Sequence, residues 1–214
     1  MANYKKADAN QLDAKLTEVA DAIRERTGKT EPLDFLRGDF ESAVQSISGG
    51  EDSLAQFANG TLTEYTSDGV TEMINYAFAR NPNLVKVNLP NWTKGGAYAF
   101  QSCTGLKEVV CPKLQIGQEA LFFDCASLER VEFGAMAYIG SNLFKNCTAL
   151  TTVIIGNEDQ LPTLGSTNVF TNTPIATSEN TGFVYVPSNL VDRYKAASNW
   201  STYASKIKSI DELP

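Results

Sequence analysis

The pattern F-x-x-C-x-x-L begins at Phe100, Phe122 and Phe144, 22 residues apart each time, with no insertion between copies. Extended, it becomes F-x-x-C-x-x-L-x-x-V-x-Φ, with Φ apolar, and a copy starting at Phe78 carries Asn81 in place of the cysteine. The Leu position holds Leu62, Leu84, Leu106, Leu128 and Leu150; the Val position holds Val87, Val109, Val131 and Val153, led by Tyr65. Leu89, Cys111, Phe133 and Ile155 fill Φ, and Pro90, Pro112, Gly134 or Gly156 then interrupts the run. A period in the twenties with one short alternating segment per copy predicts a solenoid of strand-and-turn coils. Val and Φ face one way, the residues between them the other. No coil can bury its own Phe, Leu and Val, so the coils must stack, placing like side chains over like at the strand spacing of ~4.8 Å.

The repeat also accounts for the cysteines. Cys103, Cys125 and Cys147 share one position of the coil, where a small, weakly polar side chain suits a tight inner turn beside the Phe, and Cys111 sits at Φ. Spacings of 8, 14 and 22 fit no common zinc pattern, and four cysteines in 214 residues are too few for a disulfide framework. The chain contains no histidine, which removes His-based triads and imidazole bases. No pair of carboxylates is singled out by spacing, and there is no G-x-x-x-x-G-K-S/T, G-x-S-x-G or H-E-x-x-H. We therefore expect no catalytic residue, metal or cofactor.

The outward strand positions form two columns. One reads Lys86, Glu108, Arg130, Thr152; the other reads Asn88, Val110, Glu132, Ile154. Alternating charge down neighbouring strands supports stacking, and these eight residues are the candidate ligand face. Trp92 and Tyr98, in the irregular stretch PNWTKGGAYAF, are either a sugar-stacking platform or core. A formal net charge of −7 and a pI near 4.7 disfavour nucleic acid and anionic membrane as partners. No apolar run approaches the roughly 18 residues of a membrane span.

These coils, with IGSNLFKNC at Ile139, resemble BspA-type leucine-rich repeats, whose usual form is near IGxxAFxxCxxLxxVxLP. FVYVPSNLVDRYKAASNWSTYASKIKSI, residues 183–210, is similar to that family's terminal segment, and the likeness covers about residues 54–210. It implies a strand, a short helix and a closing strand at the carboxyl end. Two departures stand out: IGQEALFFDC reads as carrying one extra residue between Ile116 and Phe122, and the stretch after Gly156 keeps only Phe170 in weak register. The latter reads as a degenerate final coil with a loop. Ser188 is the expected N-cap of a capping helix with Leu190, Val191, Tyr194 and Ala197 on one face, backed by Trp200, Tyr203, Ile207 and Ile210.

Residues 1–48 lack the repeat and read as a small helical module, joined through a hinge at 49–53 to a repeat domain at 54–214, an α+β organisation overall. Leu12, Leu16, Val19 and Ile23 follow the 4-3-4 spacing of a helix seam, and Phe40, Val44 and Ile47 mark a second short helix. Four such side chains gain about 6–12 kcal/mol on burial. Ordering about 15 residues costs ~1–2 kcal/mol each, so these seven residues are the candidate assembly seam. LTEVADAIRERTGKTEPLDFLRGDFESAVQSI resembles a segment of phage proteins from Gram-positive gut hosts, where it precedes variable outer domains. That resemblance implies a non-enzymatic virion protein, anchored on the particle or on its own copies through residues 1–48, with the repeats displayed toward a host glycan or protein. The absence of an apolar signal segment in MANYKKADANQLDAKL agrees with it. The alternative is a bacterial surface or secreted adhesin; a polysaccharide-degrading enzyme is the third reading. Arg37-Gly38-Asp39 reads as a turn and helix cap, and the N-x-S/T matches at Asn59, Asn91, Asn146 and Asn199 as coincidence.

Overall fold

The computed structural model describes residues 61–179 and 181–214. Within them, the L-x-x-V-x-Φ segments form a parallel sheet: β1 (Glu64–Thr66), β2 (Lys86–Asn88), β4 (Glu108–Cys111), β6 (Arg130–Phe133), β8 (Thr152–Ile155), β10 (Phe183–Val186) and β11 (Ile207–Ser209), adjacent in that order. Its register is the one the repeat dictates. Tyr65, Val87, Val109, Val131, Val153, Val184 and Ile207 pair in one inward row, each at most 3% exposed. A second, four-stranded parallel sheet lies on another side of the coil: β3 (Lys94–Gly95), β5 (Ile116–Gly117), β7 (Tyr138–Ile139) and β9 (Thr163–Leu164).

Between the sheets runs a column of phenylalanines. Phe78, Phe100, Phe122, Phe144 and Phe170 stack with ring centroids 5.1, 5.5, 5.7 and 5.5 Å apart and planes within 14° of parallel. Phe170 thus holds full register although 26 residues separate it from Phe144. The turn carrying each Phe has an uncommon backbone. Around the first four, the residues two before and two after take positive φ: Tyr76 and Arg80, Tyr98 and Ser102, Ala120 and Asp124, Asn142 and Asn146; around Phe170, Asn172 alone does. Alternating hands turn every second amide along the stack. The amides of Phe78, Phe100, Phe122 and Phe144 accordingly donate to the carbonyls of Ala99, Leu121, Leu143 and Val169 in the next coil. The turn is therefore hydrogen-bonded between coils much as the strands are.

Two expectations are corrected here. Ile116 is not the core isoleucine of its coil; it is 38% exposed and pairs with Tyr138, whereas Gly117 pairs with buried Ile139. The extra residue disappears once Gly117 takes the inward place, and the period stays 22 through Gly95, Gly117 and Ile139. The missing side chains are replaced from the next coil. A Cβ at Gly95 would lie 2.8 Å from Leu121 Cδ2, and one at Gly117 2.6 Å from Leu143 Cδ1. Ser188 is not a helix cap: it opens a 3-10 turn (Ser188–Leu190), and the helix α1 (Val191–Ala196) starts after Leu190 with no side-chain cap.

The carboxyl end closes the stack as the family resemblance implied. After α1, a 3-10 segment (Trp200–Lys206) brings Tyr203 edge-on to Phe170, 5.1 Å away at 85°, and β11 completes the sheet. Trp200 Nε1 donates to the Pro162 carbonyl at 2.7 Å, Asn199 Nδ2 to Leu164 at 3.0 Å, and the Tyr203 hydroxyl to Thr167. The cap thereby holds the irregular stretch after Gly156. The proposed helical module, its seam residues and the hinge lie outside the described residues.

Candidate functional site

The strand ladder consumes the backbone donors and acceptors of the large sheet, so only side chains define its outer face. The two predicted columns are found in register: Lys86, Glu108, Arg130, Thr152 and Asn88, Val110, Glu132, Ile154. Seven of the eight are half-buried, as outward residues flanked by neighbours on both sides must be. Ile154 differs, being only 4% exposed, because the columns continue past it. Phe183 extends the first and Tyr185 the second, and the terminal 3-10 turn (Ile210–Glu212) packs against β10. Ile154 is thus buried beside Tyr185 and offers little surface to a ligand. Sequence reasoning missed Phe183 and Tyr185 because the insertion after Gly156 lengthens the step from Thr152 to Phe183 to 31 residues.

The charges on this face satisfy each other. Lys86 Nζ lies 2.6 Å from Glu108 Oε2 on the neighbouring strand. The hydrogen bond and charge of Glu108 raise the Lys86 pKa. Arg130 does not continue the cross-strand ladder; its Nη2 donates to Glu132 Oε2 on its own strand at 3.0 Å. Val110 lies among these charges. At the capped end, Lys208 Nζ sits 3.8 Å from the Phe183 ring centroid, a cation–π contact.

The remaining candidates resolve into packing. Trp92 is fully buried, its Nε1 donating to the Lys94 carbonyl at 2.8 Å, and is core. Tyr98 is half-buried and stacks on Tyr76, 5.1 Å apart and 5° from parallel. None of the four cysteines forms a disulfide, and all are buried. Cys103, Cys125 and Cys147 each donate to a Phe carbonyl one coil back, those of Phe78, Phe100 and Phe122, at 3.0 to 3.1 Å. Desolvation pushes the Cys111, Cys125 and Cys147 thiols well up, the reverse of a reactive thiolate. Among the described residues no group of His, Cys, Asp and Glu could hold a metal ion, and no helix is long and apolar enough to cross a membrane. The side-chain amides of Asn91, Asn146 and Asn199 donate to Asp68, Asp124 and Leu164, so the three described N-x-S/T asparagines are engaged in holding coils together.

A family model for the BspA type leucine rich repeat region matches residues 56–186 in six copies, more than half of the chain. The chain belongs to this family. Solved structures with similarity to the BspA-type chain include the pneumococcal vaccine antigen PcpA, 15% identical with a TM-score of 0.39, covering 70% of this chain and 40% of that one. Another is a leucine-rich repeat protein from Bacteroides ovatus ATCC 8483, 18% identical with a TM-score of 0.34, covering 72% and 55%. The chain thus spans between two fifths and just over half of these relatives. No curated protein matches the sequence. The family match gives no support to the phage resemblance, which rests on residues before 49.

Proposed function

We propose that this BspA-type chain is a non-enzymatic interaction protein, displayed at a bacterial surface or secreted, whose repeat domain binds a host-surface protein or glycan through the outer face of β2, β4, β6 and β8. One observation carries the reading: the face is continuous, fixed by backbone pairing, and internally charge-neutralised around Val110. An apolar centre ringed by polar groups already paired is cheap to desolvate, which is what a binding surface requires. Residues 1–48 fit an anchoring or self-assembly role in this reading. Placement on a virion would use the same face, but no observation on the described residues favours it.

The test is adhesion of the labelled protein to epithelial cells and to arrayed host glycans. Val110→Asp should lower binding at least about tenfold, a loss of roughly 1.4 kcal/mol, with unchanged circular dichroism. Ile116→Asp, on the other sheet, should leave binding intact. A chain lacking residues 1–48 should keep single-site affinity while losing avidity. Equal binding by the Val110 variant would place the contact elsewhere, and oligosaccharide released from the array would revive the enzyme reading.

A further inference from the structure

At the carboxyl end of the stack, the turn Pro174–Ala176 and the 3-10 segment Trp200–Lys206 enclose an open groove of about 550 Å³. That volume falls in the range that holds a small ligand. Its composition is unlike the rest of this acidic molecule. The rim is hydroxylic, with Thr171, Thr177, Thr202 and Ser205, and the buried side chains of Ile175 and Tyr203 supply an apolar floor. No described carboxylate lines it. The charged residue lining it is Lys206, which is only 6% exposed.

A buried ammonium is costly unless its hydrogens and charge are met. Lys206 Nζ donates to the backbone carbonyl of Glu179 and lies 5.7 Å from the Phe183 ring centroid, and among the described residues it makes no ion pair. An ammonium has three hydrogens to donate, so one carbonyl and a distant ring face leave it without an anionic partner and with donor capacity to spare. Hydroxyls that donate and accept, an apolar floor for the C–H face of a ring, and one cation together describe recognition of an acidic sugar. From this groove we infer a second ligand site, independent of the strand face, that takes a carboxylated or sulfated sugar residue with its anion toward Lys206.

The inference is tested by NMR titration of the whole chain with glucuronic acid and glucose 6-sulfate, using glucose as the neutral control. Either acid sugar should shift the amides of Thr171, Thr202 and Ser205 and bind at least about tenfold more tightly than glucose. Lys206→Met, which keeps the length of the side chain, should reduce acid sugars to the level of glucose. The exposed pair Thr202→Ala and Ser205→Ala should weaken all three sugars alike, and it decides the matter should the Lys206 variant not fold. Val110→Asp should change none of these titrations, which separates this site from the face proposed above. Acid sugars that leave the groove amides unmoved, or that bind the Lys206 variant or the paired rim variant as they bind the parent, overturn the proposal.

Discussion

Cys125 shows how one side chain serves two coils. Its thiol donates to the Phe100 carbonyl at 3.0 Å while its sulfur lies in a fully buried column between Cys103 and Cys147. Burial is the main reason its pKa lies well above the ordinary 9.0, with the neighbouring thiols adding to the shift. For an acid the sign follows directly. The folded chain keeps this proton where the unfolded chain releases it, so stability is complete below pH 9 and declines as pH rises above it. Cys111 and Cys147 are shifted the same way and contribute alike. Denaturant unfolding between pH 7 and 10.5 should show this alkaline loss, and Cys125→Ala should unfold with a shallower pH dependence than the parent. Parallel pH profiles for the two proteins would mean the thiol is solvated. Asn81 stands at the corresponding place, fully buried with its Nδ2 unpartnered, while its Oδ1 accepts from Asn83 N at 3.2 Å.

At the scale of the coil, the second sheet exchanges volume between neighbours. Gly95 and Gly117 leave space that Leu121 and Leu143 fill from the next coil, whereas Ile139 fills its own place and pairs with Leu164 one coil on, with the shorter Val169 at the position of those leucines in the sequence. The sequence made this exchange hard to read. Ile116-Gly117 mimics Ile139-Gly140, so a one-residue slip looks like an insertion, and no local pattern records which neighbour fills a glycine's void. The Leu, Val and Phe columns were legible because each is apolar, periodic and obligatory to every coil. The left-handed turn residues were not, since Asp124, Asn142, Asn146 and Asn172 carry side chains that favour that backbone, while Tyr76, Tyr98 and Ala120 do not. The strand face was legible for the same periodic reason up to Thr152; the groove was not, since its two walls join only through the cap. Volume exchange yields a paired prediction. Gly117→Ala should cost about 1–3 kcal/mol through the clash with Leu143. Adding Leu143→Val should recover part of that loss, so the double variant should melt above the Gly117 single variant. Additive destabilisation of the two changes would show that Leu143 does not occupy the glycine's space.

For the whole molecule, the question is how far the cap's influence reaches. A solenoid coil touches only its neighbours, so stability passes along the stack coil by coil. The cap meets the stack along the sheet, where β11 pairs with β10, and in the core, where Tyr203 and Trp200 lie 5.1 and 6.4 Å from Phe170; three of its side chains hold carbonyls of the irregular final coil. Trp200 is 1% exposed, with Tyr194 packed edge-on to it at 5.0 Å, so Trp200→Ala removes a large ring from the centre of the contact. Truncations of this kind cost about 3–5 kcal/mol locally. Nearest-neighbour coupling dictates where that loss appears. Amide hydrogen exchange should accelerate most at Thr171, Thr173 and β10, less at β8, and least at β2 and β4, which stand several coils away. A uniform acceleration from Val87 to Val184 would show instead that the coils open as one cooperative body, and the cap would then secure the entire repeat domain rather than its last turn.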